Sequence, residues 1–140
     1  MPFSLDTSVV TPFFLLDPFN ARARSFLSSG VSDLVVCDFV AAEFASVVGV
    51  RLRAKALVPS EARKAFSTFD LWLNTTARGA SIEPSDIGAA ISILRRLDLV
   101  LRAPDAVILA ITDRLGAELV TFDKRMADCA RKLGISVLPV

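Results

Sequence analysis

The chain has 140 residues, 53% of them hydrophobic and 22% charged, with a formal net charge of +1. Those figures suit one globular domain over residues 1–140 and exclude a disordered chain, while a charge so near zero neither demands nor excludes a nucleic-acid partner. There is no histidine, which excludes histidine acid–base catalysis, Ser-His-Asp triads and histidine-bound zinc together.

The mean hydropathy of +0.54 raises the question of a membrane span. The longest run without a charged residue, Thr7 to Leu16, is ten residues, half of the roughly 20 that cross a bilayer. Asp6 stands where the basic region of a signal peptide would lead into its apolar stretch, so the expectation is a cytosolic protein. Cys37 and Cys129 have neither metal-ligand spacing nor a disulfide framework and read as small buried hydrophobes.

Phe3 to Asp6 is a short apolar run passing through Asp-Thr-Ser into a capped helix, which predicts a first strand and then a helix stopped at Asp17-Pro18. A second helix is predicted from Pro18, at its first position, to Ser28-Ser29-Gly30. Leu34 to Cys37 is a β-branched-rich run fit for a buried parallel strand, and Asp38 is expected to cap a helix reaching about Arg53. Pro59 to about Ala77 reads as a helix with Ser60 as cap and Gly79 as stop, followed by a short strand over Ala80 to Glu83. Pro84 opens a helix through Leu99 with Ile87, Ile91, Leu94 and Leu97 at helical spacing. Ala103-Pro104-Asp105 begins a helix to Leu115-Gly116. Glu118 to Phe122 is a strand, Asp123 to Leu133-Gly134 a helix, and Ile135 to Val140 a last strand. Strands alternating with helices predict an α/β fold, an α/β/α sandwich around a mostly parallel five-stranded sheet, with extra helices in the middle region.

In such sheets sites form at the carboxyl ends of strands. Asp6 and Asp123 close strands and Asp105 opens a helix, and each taken singly is explained by the preference for acids at helix N-termini. Glu43 is different. Val40, Val47 and Val50 share its stripe, so it is expected to face the core, where a carboxylate requires a partner. That partner is either an arginine, with Arg22, Arg24, Arg51 and Arg53 as candidates, or a cation. Four acids brought together repel one another unless a cation neutralises them, and an all-oxygen site suits Mg²⁺ or Mn²⁺. A carboxylate cluster without histidine points to metal-assisted phosphodiester hydrolysis. Thr7, Ser8 and Thr121 are hydroxyls beside these acids, with helix capping as their ordinary role.

The runs Leu5-Asp6-Thr7-Ser8-Val9, Asp38 to Phe44 with Glu43, Arg102-Ala103-Pro104-Asp105-Ala106, and Leu119 to Met126 with Asp123 follow one another in an order that resembles a PIN domain. Within that family the chain resembles the VapC toxins of bacterial type II toxin–antitoxin pairs, over nearly its whole length. The resemblance implies Mg²⁺- or Mn²⁺-dependent endoribonuclease activity, a homodimer, and a cognate antitoxin whose tail enters the site. It places the four metal-holding and catalytic acids on Asp6, Glu43, Asp105 and Asp123, and gives Thr121 a supporting role. Pro104 replaces the tyrosine or serine often found before the third acid.

Other readings are a receiver domain, which needs paired acids after its first strand, and a haloacid-dehalogenase-type phosphatase, which needs an aspartate where Ser8 stands. A non-catalytic PIN-like module binding RNA or protein, and a DNA nuclease with the same metal site, keep the fold. Arg22, Arg24, Arg51, Arg53, Lys55, Arg63, Lys64, Arg95, Arg96 and Arg102 are candidate phosphate contacts, with solvated helix faces as their default. Phe13, Phe14 and Phe39 could stack on bases, although a core or a dimer interface accounts for them better.

Overall fold

All four residues of Leu34–Cys37 are buried, which a strand achieves only when both faces of its sheet are covered. In a computed structural model describing residues 1–140, this strand (β2) lies in an all-parallel sheet with β1 (Phe3–Leu5), β3 (Ala77–Ala80) and β4 (Glu118–Val120), in the order β3-β2-β1-β4. The helices are α1 (Thr7–Phe14), α2 (Asn20–Ser28), α3 (Asp38–Arg53), α4 (Pro59–Thr75), α5 (Pro84–Arg95), α6 (Ala103–Arg114) and α7 (Lys124–Lys132). Helix pairs α3–α4 and α5–α6 run consecutively without a strand between them, which is the extra helix expected in the middle of the chain. No helix is long and apolar enough to cross a membrane.

The sheet has four strands, not five. The terminal segment Ile135 to Val140 makes one bridge, Val137 beside Leu119, with Leu119 N–H bonded to Ser136 and Leu138 N–H bonded to Leu119. Pro139 lacks an N–H to continue a ladder. The third strand lies earlier than expected, because Gly79, read as a helix stop, sits inside it opposite Val36. An edge strand tolerates a glycine that a helix would not extend through.

Helix ends differ for local reasons. The Phe19 N–H donates to Asp17, and the Asn20 amide bonds the carbonyls of Pro12 and Leu15, so a bonded turn holds Pro18 outside α2. Cys37, not Asp38, stands at the cap of α3, and the Asp38 carboxylate instead accepts the Ile82 N–H. Val58, not Ser60, precedes α4, where Glu61 reaches back to the Val58 N–H. Helix α5 stops at Arg95 because Leu97 turns left-handed at φ 64°, the conformation that closes a helix, and Arg96 grips Asp98 through two bonds beyond it. Of the residues at helical spacing here, Leu94 is half-buried against the core while Ile87, Ile91 and Leu97 are exposed, whereas Asp86 and Ala90 are buried.

Asp86 is buried because Arg114 of α6 binds both of its oxygens, at 2.7 and 2.9 Å, and also reaches Glu83 and the Ser81 carbonyl. The guanidinium beside Asp86 holds its carboxyl below the ordinary range. On the other side Phe13 and Phe14 pack edge-on with Phe44, Phe69 and Trp72, at centroid distances of 5.5 Å for Phe14–Phe44, Phe14–Phe69 and Phe13–Trp72. Both rings are half-buried against the core through these contacts, as is Phe39, which accords with packing as their role. Cys37 and Cys129 are free and buried.

Candidate active site

From β1 the chain moves to β2 and β3 on one side and returns to the other side of β1 for β4. Strand order therefore reverses between β1 and β4, and a crevice opens beyond their carboxyl ends. Asp6 follows β1 directly and Asp123 lies three residues after Val120.

Asp6 is the cap of α1, at φ −81° and ψ 159°, and is only 5% exposed. Its Oδ2 accepts the Ser8 hydroxyl at 2.7 Å, the Thr121 hydroxyl at 2.8 Å and the Ser8 N–H at 3.3 Å. The same hydroxyls receive backbone donors from the end of β4: Phe122 N–H on Ser8 Oγ and Asp123 N–H on Thr121 Oγ1, both at 3.0 Å. One aspartate oxygen thus ties the two strand ends together. Burial pushes the Asp6 carboxyl above its ordinary pKa, against the opposing pull of the Ser8 and Thr121 hydroxyls.

Glu43 comes to the same crevice from α3. The core face of that helix is Val40, Phe44 and Val48, while Val50, expected on the inner stripe, is 53% exposed. Glu43 sits at the edge of the buried face, where its Oε1 accepts the Thr7 hydroxyl at 2.7 Å. No arginine pairs with it. Arg51 binds Asp17 at 3.1 Å, and Arg22 reaches the Val140 carbonyl and the face of Phe122. Burial raises the Glu43 pKa, and the negative charges of Asp6 and Asp105 add to the rise against the Thr7 bond and the positive Arg102.

Asp105 and Asp123 line one cavity of about 300 Å³ with Arg102, Arg125 and Met126. Each is also a helix-terminus acceptor. Asp105 Oδ2 takes the Arg102 N–H at 3.3 Å with the Arg102 guanidinium 3.5 Å away, and Asp123 Oδ1 takes the N–H groups of Arg125 and Met126 at 2.9 and 3.2 Å.

The four acids therefore share one end of the sheet as two pairs, Asp6 with Glu43 across Thr7, and Asp105 with Asp123 across a cavity. No three acidic side chains stand close enough to hold an ion between them. Capping and metal binding are compatible in this arrangement. Each acid commits one oxygen to these side-chain bonds and leaves the other, Asp6 Oδ1, Glu43 Oε2, Asp105 Oδ1 and Asp123 Oδ2, outside them. An all-oxygen donor set of this kind fits Mg²⁺ or Mn²⁺, which keep several waters and need few direct carboxylates. Thr7, Ser8 and Thr121 hold the acids through their hydroxyls instead of capping helices.

The PIN domain profile matches residues 4–132, an interval containing all four acids. The chain belongs to the PIN domain family. Among curated proteins no sequence matches it. Solved structures similar to this PIN domain include the Mycobacterium tuberculosis toxin VapC20, described as cleaving the sarcin-ricin loop, with a TM-score of 0.74 and 18% identity over 97% of this chain and 98% of that one. The FitAcB structure from Neisseria gonorrhoeae has a TM-score of 0.68 and 18% identity, covering 98% of this chain and 96% of that one. VapBC2 from Rickettsia felis, bound to a promoter DNA fragment, has a TM-score of 0.68 and 15% identity, covering 99% and 98%. At such identities the likeness is one of fold.

Among the basic residues considered from sequence, Arg102 lines the cavity of Asp105 and Asp123 in this PIN domain, whereas Arg51 and Arg96 are engaged with Asp17 and Asp98. Arg125 lines the cavity as well and was not among them. Its position two residues after Asp123, in the first turn of α7, was the available signal.

Proposed function

We propose that this PIN domain is a divalent-metal-dependent endoribonuclease and the toxin of a type II toxin–antitoxin pair. The observation that carries the reading is the set of four carboxylates at the strand-order reversal, each with one oxygen tied to the protein and one outside those bonds. Asp6, Glu43, Asp105 and Asp123 would hold Mg²⁺ or Mn²⁺, and Thr7, Ser8 and Thr121 would orient the first two. A bound ion of this class supplies an acidified water and stabilises charge on phosphoryl oxygens. The chain's own part is positional. Thr121 and Ser8 fix Asp6, and Thr7 fixes Glu43.

The family match supports nuclease chemistry, and the description of VapC20 as a cleaving toxin supports RNA as substrate. Several similar structures contain a toxin with its antitoxin, including one from Klebsiella pneumoniae with a TM-score of 0.62, which supports an antitoxin partner here. Exposed Ile87 and Ile91 on α5 support a homodimer, because apolar side chains adjacent on one helix face are stabilised by cover. A cytoplasmic location follows from an RNA substrate. The test maps new 5′ ends in cellular RNA after brief expression of the wild-type chain and of Asp6→Asn. Discrete RNA ends with the wild type alone are expected; ends in DNA only, or identical maps for both proteins, would overturn the reading.

A further inference from the structure

Beside the cavity of Asp105 and Asp123, on the other side of the segment Thr121–Lys124, lies a second cavity of about 380 Å³ whose charged side chains are Arg22, Lys124 and Arg131, with no Asp or Glu in its lining. Lys124 and Arg131 share a face of α7 with Ala127, at i, i+3 and i+7, whereas Asp123, Arg125 and Met126 line the cavity of Asp105. The start of this helix thus divides a cavity lined by two aspartates and two arginines from one whose charged side chains are all basic. Arg22 is held in place by the carbonyl of Val140, which lines the same cavity, and by two rings, its guanidinium carbon 4.6 Å from the Phe122 ring centre and 5.3 Å from that of Phe19. Arg131 is paired only with exposed Asp128, at 3.2 Å, and Lys124 has no ion pair. Three cations around one concavity repel each other, and an anion there removes that cost.

We infer that this basic cavity binds a phosphodiester of the nucleic-acid strand next to the one being cut, so that the strand crosses the Asp123–Lys124 boundary with one phosphate on each side. The inference rests on the nuclease reading and adds a substrate subsite to it. Contacts of this kind neutralise phosphate without reading bases.

The test measures fluorescence anisotropy of a labelled single-stranded RNA of mixed sequence, in EDTA and over a KCl series. It uses Asp6→Asn protein as parent so that the strand stays intact. Adding Lys124→Ala and Arg131→Ala is expected to weaken binding at least about tenfold. It should also reduce the slope of log affinity against log salt by about 0.7, the value for one lost single-strand phosphate contact. Adding Lys132→Ala, which removes a charge from the same helix away from the cavity, is expected to leave both unchanged. Lys124→Glu is the second variant, with melting temperature confirming that each protein folds. Single-stranded DNA of the same sequence should show the same loss; a loss confined to RNA overturns phosphate as the ligand. Unchanged affinity and slope, alongside abolished cleavage in Asp6→Asn, overturn the subsite and leave the nuclease standing. A parent that binds no strand, in a protein that cuts none, overturns both.

Discussion

The Thr7 hydroxyl donates to Glu43 Oε1 at 2.7 Å, joining the first turn of α1 to the middle of α3 across 36 residues of sequence. Thr7 immediately follows Asp6, so one dipeptide contributes a buried acid and the group that orients a second one. Glu43 has no arginine partner, and this hydroxyl is the one side chain that bonds it.

Removing that hydroxyl should therefore act on the site more than on the fold. Thr7→Val is expected to lower Mn²⁺ affinity and cleavage by about 10–100-fold, the usual effect of losing a group that orients a metal-holding side chain. Calorimetric titration with Mn²⁺, together with thermal melting, checks this. A variant with wild-type metal affinity would show that Thr7 does not position Glu43 for an ion.

Asp6→Asn should abolish cleavage and raise the melting temperature of the metal-free protein. Burial disfavours the charged carboxylate, and asparagine keeps an acceptor for the Ser8 and Thr121 hydroxyls without the charge. A melting temperature below wild type would mean that the hydroxyl bonds outweigh desolvation.

Asp6 and Glu43 both have raised pKa values in the folded chain, so the folded state binds protons more tightly than the unfolded state through the range just above the ordinary carboxylate pKa. Stability of the metal-free protein is then expected to fall as pH rises through that range and to recover on adding Mn²⁺. Melting curves at about pH 5 and pH 7.5, with and without the ion, read the effect. A Mn²⁺ increment that is no larger at the higher pH contradicts it.

Arg114→Leu should destabilise the chain by about 3–5 kcal/mol, because it leaves the carboxylate of Asp86 buried without its cation. Asp86 is 2% exposed. Adding Asp86→Leu should restore part of the loss. The Asp86 pKa is depressed when folded, so its contribution is complete above the unfolded carboxylate pKa and is lost as pH falls through the folded one. Urea denaturation of the single and double variants at neutral and acid pH measures both effects.

Cleavage should stop in EDTA and return with Mn²⁺, with neither treatment unfolding the protein. Full activity in chelator would remove the metal from the mechanism.

Much of this was determined by the sequence alone. Four runs in order around Asp6, Glu43, Asp105 and Asp123 point to the fold, and the turns at Asp6 and Asp123 are legible because each is a local strand-to-helix turn that carries its own cap residue. The parallel β2 and most helices were likewise set by short-range periodicity. What only the tertiary structure decided are the relationships between distant residues. Asp6 is buried by Thr121, 115 positions away, and Glu43 is bonded by a threonine instead of an arginine. Asp86 is drawn inward by Arg114 while Ile87 and Ile91 turn out, reversing the face that hydropathy alone favours. Hydrophobic spacing reports which face of a helix is apolar, but which face is covered depends on the partner helix, and a bidentate arginine there outweighed two isoleucines. The basic cavity has the same origin: Arg22 meets Lys124 and Arg131 only because α2 and α7 flank the end of the chain.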